Sequence, residues 1–258
     1  MEILDEVKKD YVRDLVKKGK RPDERAFDEY RKVTVEKGVI PYAEGSARVR
    51  MGKTQVLVGI KMDVGTPFAD RPDEGVLSTS AELLPLASPT FEPGPPDANA
   101  IELARVVDRG IRSSNAVDLK SLFIEDGKVW NLWLDIYVLD HDGNLIDASA
   151  LAGMAAIRCT RIPKYEDGKV VRGEYQGFVK SQNDCVTCTI AKIDSASLLD
   201  PTLDEEKAMD ARITIATTPQ YICAAQKGGS GGFTKEEVMS AIDLSFKRGN
   251  ELRALLRD

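Results

Sequence analysis

The sequence predicts an α/β protein of the α+β type built from two similar halves, on three observations. The chain has 258 residues, 42% hydrophobic and 30% charged, which suits one large domain or two closely packed halves. In each half, glycine-punctuated β-branched runs precede a periodic helix. No window approaches eighteen uninterrupted apolar residues, and the net charge of −6 argues against indiscriminate attraction to a nucleic-acid backbone.

Ile3, Val7, Tyr11 and Leu15 recur every four residues and predict an amphipathic N-terminal helix that stops near Gly19. Its charge density is unlike that of a signal peptide, so a cytoplasmic location is expected. The run RKVTVEKGVIPYAEGSARVRMGKTQVLVGIKM predicts three strands punctuated by Gly38, Gly45 and Gly52. The stretch ADRPDEGVLSTSAELLPLASPTFEPGPPDANA, rich in proline and acid at both ends, predicts a long loop. A helix from about Ala98 to Ser113 follows. In KVWNLWLDIYVLDHDGNLIDAS two strands are expected to flank His141-Asp142-Gly143-Asn144, with Asp-Gly as the turn. ASALAGMAAIRC, small and apolar all round, predicts a helix packed closely against a sheet.

YEDGKVVRGEYQGFVKSQND is expected to be an exposed connection, joining the halves near residues 163–183. CVTCTIAKIDSASLLDPT, ARITIATTP and YICAAQKGG then predict strands around an acidic segment. A glycine-rich turn precedes a last helix, where Thr234 and Glu237 form a capping box and Val238, Ile242 and Phe246 mark one face. The domains read as an N-terminal helix at 1–20, a first half at 21–165 and a second at 184–258.

Few motifs carry chemistry. Cys185 and Cys188 form a CxxC inside a strand-like run, with no second pair and the only histidine, His141, far away, so buried thiols are expected rather than a metal site. The GGSGG run lacks the Lys-Ser/Thr of a phosphate loop and reads as a flexible turn. Arg105, Arg109 and Arg112 share one face of their helix, while Ile101, Ala104, Val107 and Ile111 share another. Three guanidiniums along two turns suit successive phosphates. The bland reading is a solvated face paired with Glu102 and Asp108.

Four segments carry a resemblance: EGSARVRMGKTQVLVGIKM, NAIELARVVDRGIR, DHDGNLIDASALAGMAAI and LLDPTLDEEKAMDARITIATTP. From about Arg21 onward the chain resembles the RNase PH family, and within it the non-catalytic RNase PH-like subunit of the archaeal exosome ring. The resemblance implies a duplicated βαβα domain, a ribosomal protein S5 domain 2-like half plus a C-terminal RNase PH half. It implies as partners an active RNase PH-like subunit, in three heterodimers closing a hexameric ring, together with RNA-binding cap subunits and single-stranded RNA. No cofactor and no metal are implied.

Active relatives remove 3′-terminal nucleotides with inorganic phosphate, using a Thr/Ser-Arg pair for phosphate and two acids six positions apart. Aligned on Leu199-Asp200, the acid positions fall on Glu206 and Arg212, and an arginine can neither accept a proton nor hold a metal. The phosphate pair falls on Leu145 and Ile146, which offer no donor at the start of the next helix, with Asp147 nearby to repel an anion. The resemblance therefore implies a catalytically silent chain that contributes Arg105, Arg109 and Arg112 to RNA. For Asp200, Asp204, Glu205 and Asp210 a solvated loop with helix-start character is expected rather than metal binding, Asp210 being the residue a shifted alignment would make catalytic. Two alternatives stay open: an active phosphorolytic nuclease with Asp204 or Asp210 as catalyst, and a scaffold whose arginines only make interface salt bridges.

Overall fold

The computed structural model describes the backbone of residues 2–257 and the side chains of residues 6–257. Helix α1 spans Glu2–Lys17, and Gly19 just beyond it sits at φ 71°, where a glycine ends a helix at least cost. The stripe expected to face inward does not. Val7 and Tyr11 are 61% and 60% exposed and Ile3's side chain lies outside the described residues. Val12 and Val16 are buried instead, in a small cluster with Ile193, Leu198 and Ala208. Arg13 explains the rotation, because it reaches Asp194 at 2.9 Å and Asp210 at 2.6 Å and so fixes which side of α1 meets the protein.

The first sheet holds β1 (Val33–Lys37), β2 (Gly45–Met51) and β3 (Thr54–Gly65), as the glycine punctuation predicts. The expected long loop is interrupted by β4 (Val76–Leu83), an apolar and hydroxyl-rich run that the flanking prolines conceal. Helix α2 has the expected bounds, Ala98–Ser113, and Asp97 caps it through the N–H of Ala100 at 2.8 Å. After β5 (Phe123–Glu125) comes β6 (Lys128–Asp140), and the strand order is β1-β2-β3-β6-β4 with β5 beside β6. Only β4 and β6 run parallel, and α2 lies in the crossover that such a pair needs.

The expected strand after Asp142-Gly143 is not formed. Helix α3 (Leu145–Arg158) begins there, longer than the small-residue run alone predicts. Asn144 stands in front of it at φ 54°, and its N–H is taken by Glu206 at 2.8 Å, so a residue far along the chain turns a would-be hairpin into a helix start.

The expected exposed connection is an antiparallel hairpin of β7 (Arg161–Glu166) and β8 (Lys169–Phe178), turning at Asp167-Gly168. The second sheet has β9 (Val186–Ile193), β10 (Ala196–Leu199), β11 (Ala211–Thr217) and β12 (Ile222–Gly229), in the antiparallel order β10-β9-β11-β12. The acidic segment between β10 and β11 folds as a short helix, α4 (Leu203–Ala208), with a capping box of Thr202 and Glu205. Gly231 donates to the Asp210 carbonyl at 2.8 Å, so the GGSGG run is a turn held against the backbone.

Helix α3 lies between the two sheets, against β2 and β3 on one side and β9 on the other. Its alanines and Gly153 let both sheets approach, and residues Ile146 to Ile157 are all buried. On the far side of β9 lies α5 (Lys235–Ala254), whose expected capping box of Thr234 and Glu237 is present. Its buried positions are Ala241, Ser245, Gly249, Leu252 and Arg253, while Val238, Ile242 and Phe246 are half-buried beside them. A Cβ at Gly249 would lie 3.2 Å from Val186, so small residues set this helix close to the sheet.

Candidate functional site

Four of the sequence-selected residues come together. Leu145 and Ile146 on the first turn of α3, Glu206 on α4 and Arg212 on β11 line one cavity of about 260 Å³, with Glu102 and Asn99 of α2, Phe91, His141, Asn144 and Thr189. Phe91 and His141 stack at 5.3 Å in its wall. Arg212 passes over Gly228 on β12, where a Cβ would stand 2.9 Å from its Nε, and its Nη2 donates to Glu102 at 2.9 Å. That ion pair ties α2 to the second sheet. Glu206 turns its carboxylate inward to accept the Asn144 N–H, and burial pushes its pKa up to about 7 against the pull of Arg212 and Arg31. Burial, with the charges of Arg31 and Lys207, lowers the pKa of His141.

Behind the cavity lies a buried polar network that sequence reasoning missed. Asn144 Nδ2 donates to Asp147 at 2.9 Å and to Asp200 at 2.8 Å. Asp147 also accepts from Tyr30 Oη at 2.9 Å and from the N–H and hydroxyl of Thr189, each at 2.8 Å. It faces β9 rather than the cavity, and burial raises its pKa to about 6 despite these donors. Asp200 is fully buried and meets Arg31 through two oxygens at 2.7 and 2.9 Å, with Arg25 at 3.0 Å. Glu205 is likewise buried against Arg21 at 2.6 and 2.8 Å. So the expectation of a solvated acidic loop fails for Asp200 and Glu205, because three arginines preceding the first sheet fold over them. No local signal marked this: RPDERAFDEYR sets three arginines among four acids, and sequence alone does not show that Arg21, Arg25 and Arg31 reach partners in the second half.

Asp204 remains near the surface beside Lys8 at 3.4 Å. Asp210 lies away from the cavity and is taken up by Arg13 and by the N–H of Asp194 at 2.8 Å, and the Arg13 hydrogen bond holds its carboxyl below the ordinary range.

The three arginines of α2 have different surroundings. Arg105 is exposed and makes no hydrogen bond or ion pair among the described residues. Arg109 is exposed and touches only the side-chain oxygen of Gln226 on β12, at 3.0 Å. Arg112 is occupied: Nε meets Asp108 at 2.6 Å and Nη2 donates to the Leu77 carbonyl, bracing α2 on β4. All three border a groove of about 640 Å³ between α2 and the β4 edge, with Phe68, Val76, Ser78, Thr79 and Trp133.

Among the described residues no group of three or more His, Cys, Asp and Glu side chains is placed to hold a metal ion, and no helix is long and apolar enough to cross a membrane. Cys185 and Cys188 are free and buried, and burial pushes the Cys188 thiol up to about 12, far from a reactive thiolate.

Residues 29–163 match the first domain, and residues 185–248 the second domain, of the RNase PH, or 3′ exoribonuclease, family. The chain is 52% identical over 262 residues to the exosome complex component Rrp42 of Thermococcus gammatolerans, a match covering 99% of this chain and 96% of that one. It superposes with a TM-score of 0.92 and 46% identity on a chain from the Archaeoglobus fulgidus exosome with RNA bound to the active site, covering 98% of each. A chain of an archaeal exosome core gives a TM-score of 0.89 at 41% identity, covering 99% of this chain and 98% of that one.

Proposed function

Because the chain belongs to the RNase PH family of 3′ exoribonucleases, with both domains of that family, we propose that it is a catalytically silent subunit of a phosphorolytic 3′-to-5′ RNA-degrading exosome. It pairs in the cytoplasm with an active RNase PH-like paralogue, three such pairs closing a hexameric ring that carries RNA-binding cap subunits. The similarity to archaeal exosome components supports the assembly. One observation carries the silence: the Arg212–Glu102 ion pair at 2.9 Å stands in a pocket whose helix edge offers Leu145 and Ile146.

The chemistry of phosphorolysis needs a proton for the departing ribose oxygen and donors for the attacking phosphate. Glu206 is a carboxyl that titrates near neutrality and could exchange a proton, but the other carboxylate lining the pocket, Glu102, is held by Arg212 at 2.9 Å. Arg212, paired with Glu102, is not a carboxylate and cannot take the part of a second acid. At the start of α3 two alkyl side chains stand in place of phosphate donors, and Arg212, the guanidinium that lines the cavity, is taken up by Glu102. The chain's contribution to RNA comes from α2, where Arg105 and Arg109 present open guanidiniums to phosphates and so act without regard to base identity. Arg112, occupied by Asp108 and Leu77, holds the helix that carries them.

The test is nucleoside diphosphate release from single-stranded poly(A) in phosphate buffer. The chain alone is expected to release none, and an equimolar mixture with the paralogue to exceed the paralogue by itself. Release by the chain alone, abolished by Asp210→Asn, would overturn the reading. In the assembled complex, Arg105→Ala with Arg109→Ala is expected to weaken RNA binding at low salt about tenfold and to flatten its salt dependence.

A further inference from the structure

We infer that the groove beside the arginine helix reads bases as well as phosphates: Trp133 and Phe68 form a stacking platform for unpaired bases of the strand whose phosphates lie on Arg105 and Arg109. The inference rests on the proposed RNA role of α2 and adds to it a second kind of contact. It starts from two aromatic rings left in solvent. Trp133 is 44% and Phe68 59% exposed, and both line the groove that Arg105 and Arg109 border. Trp133 stands on the uncovered face of β6, where its register partner on β4 is Ser78, too small to cover an indole. On its other flank the partner is Lys61, whose ammonium is drawn away to Glu44 and the Tyr42 carbonyl at 2.8 Å each.

Charge selects the occupant. The acid within the groove, Asp108, is taken up by Arg112 at 2.6 Å and by the Thr79 hydroxyl at 3.0 Å, so Arg105 and Arg109 dominate the local field although the whole chain carries −6. They stand one turn apart on α2, about 6 Å along its axis, a spacing that suits neighbouring phosphates of an extended strand. A peptide strand adding to the β4 edge is disfavoured, since the Leu77 carbonyl is already capped by Arg112. A positive rim, hydroxyls from Ser78, Thr79 and Ser113, and flat aromatic walls together describe a single-stranded nucleic-acid groove. The Arg112 brace keeps the wall carrying the arginines fixed against the sheet carrying Trp133, so the platform exists before RNA arrives.

The chain has two tryptophans, and Trp130 is only 2% exposed, so the difference in emission between the parent complex and the Trp133→Phe complex reports on Trp133. The assembled complex would be titrated with oligoadenylate and with an abasic ribose-phosphate oligomer of equal length, by tryptophan emission and by anisotropy of end-labelled strands. Oligoadenylate is expected to quench the emission and the abasic strand to leave it unchanged. Trp133→Ala, and more weakly Phe68→Ala, should lower oligoadenylate affinity by about tenfold while leaving abasic affinity alone, and Trp133→Phe should restore most of the loss. Arg105→Ala with Arg109→Ala should weaken both strands alike. If that double variant weakens both but Trp133→Ala leaves their affinity ratio unchanged, the platform is refuted and the phosphate reading stands. If neither arginine matters, the RNA reading itself fails and the platform with it. An emission shift produced by the paralogue without RNA, with no further change on adding RNA, would show that protein covers Trp133 and would also refute the platform.

Discussion

Glu206 is a carboxyl kept near neutrality by its surroundings rather than by a partner. Burial lifts it to about 7, so the folded chain binds its proton more tightly than the unfolded chain does. Linkage then gives the sign: its contribution is most favourable at low pH and declines as pH rises from the ordinary carboxylate range through about 7. Asp147, raised to about 6, acts in the same direction over a lower window, and Asp200 and Asp210, both lowered, act oppositely as pH falls. A comparison of Glu206→Gln with the parent isolates the first effect. The variant is expected to gain about 1–2 kcal/mol relative to the parent between pH 5 and 8, allowing for screening at the half-open pocket mouth. Thermal unfolding at those two pH values checks it, and parallel shifts of the two proteins would rule out titration of Glu206 in that range.

At the scale of an element, the start of α3 depends on its backbone. Gly143 has φ +87°, and a Cβ there would stand 2.5 Å from backbone atoms of Pro201, Thr202 and Leu203. Gly143→Ala is therefore expected to cost at least about 2 kcal/mol in urea unfolding, through both strain and the approach of α4, and a neutral result would mean that this turn can open freely. The same turn shows where sequence reading stops. Helix α2 was legible because the apolar period of Ile101, Ala104, Val107 and Ile111 lies within its own residues. Asp142-Gly143 between apolar runs looks like a hairpin turn, and partners distant in sequence, Glu206 on the Asn144 N–H and Arg31 and Thr54 on the Gly143 carbonyl, hold it as the start of a helix at Leu145 in place of a second strand. Asp167-Gly168, at φ 51° and 76°, was a hairpin signal inside a charged stretch that looked merely exposed. The arginine stripe and the four pocket residues were readable from spacing and resemblance. The Asn144, Asp147 and Thr189 network was not, since each member is an ordinary polar residue until the halves meet.

Across the whole molecule the two halves are fastened by charge as well as by apolar contact. Arg21, Arg25 and Arg31, ahead of the first sheet, close over Asp200 and Glu205 of the second half. Arg21 and Glu205 have fully buried side chains, so Arg21→Ala would strand a carboxylate in the interior and is expected to cost about 3–5 kcal/mol. Lys8→Ala, which removes an exposed pair with Asp204, should change stability by less than about 0.5 kcal/mol. Equal losses from both would contradict the burial of the Arg21 clamp. The hairpin of β7 and β8 that joins the halves acquires a particular meaning from this arrangement. The molecule behaves as two mutually dependent partners whose encounter is made intramolecular by a tether, and the tether supplies effective concentration as well as surface, since Arg172 on β8 reaches the Met62 carbonyl at 2.7 Å. Nicking the Asp167-Gly168 turn would then leave two fragments still clasped, with a stability that depends on dilution where the intact chain's does not.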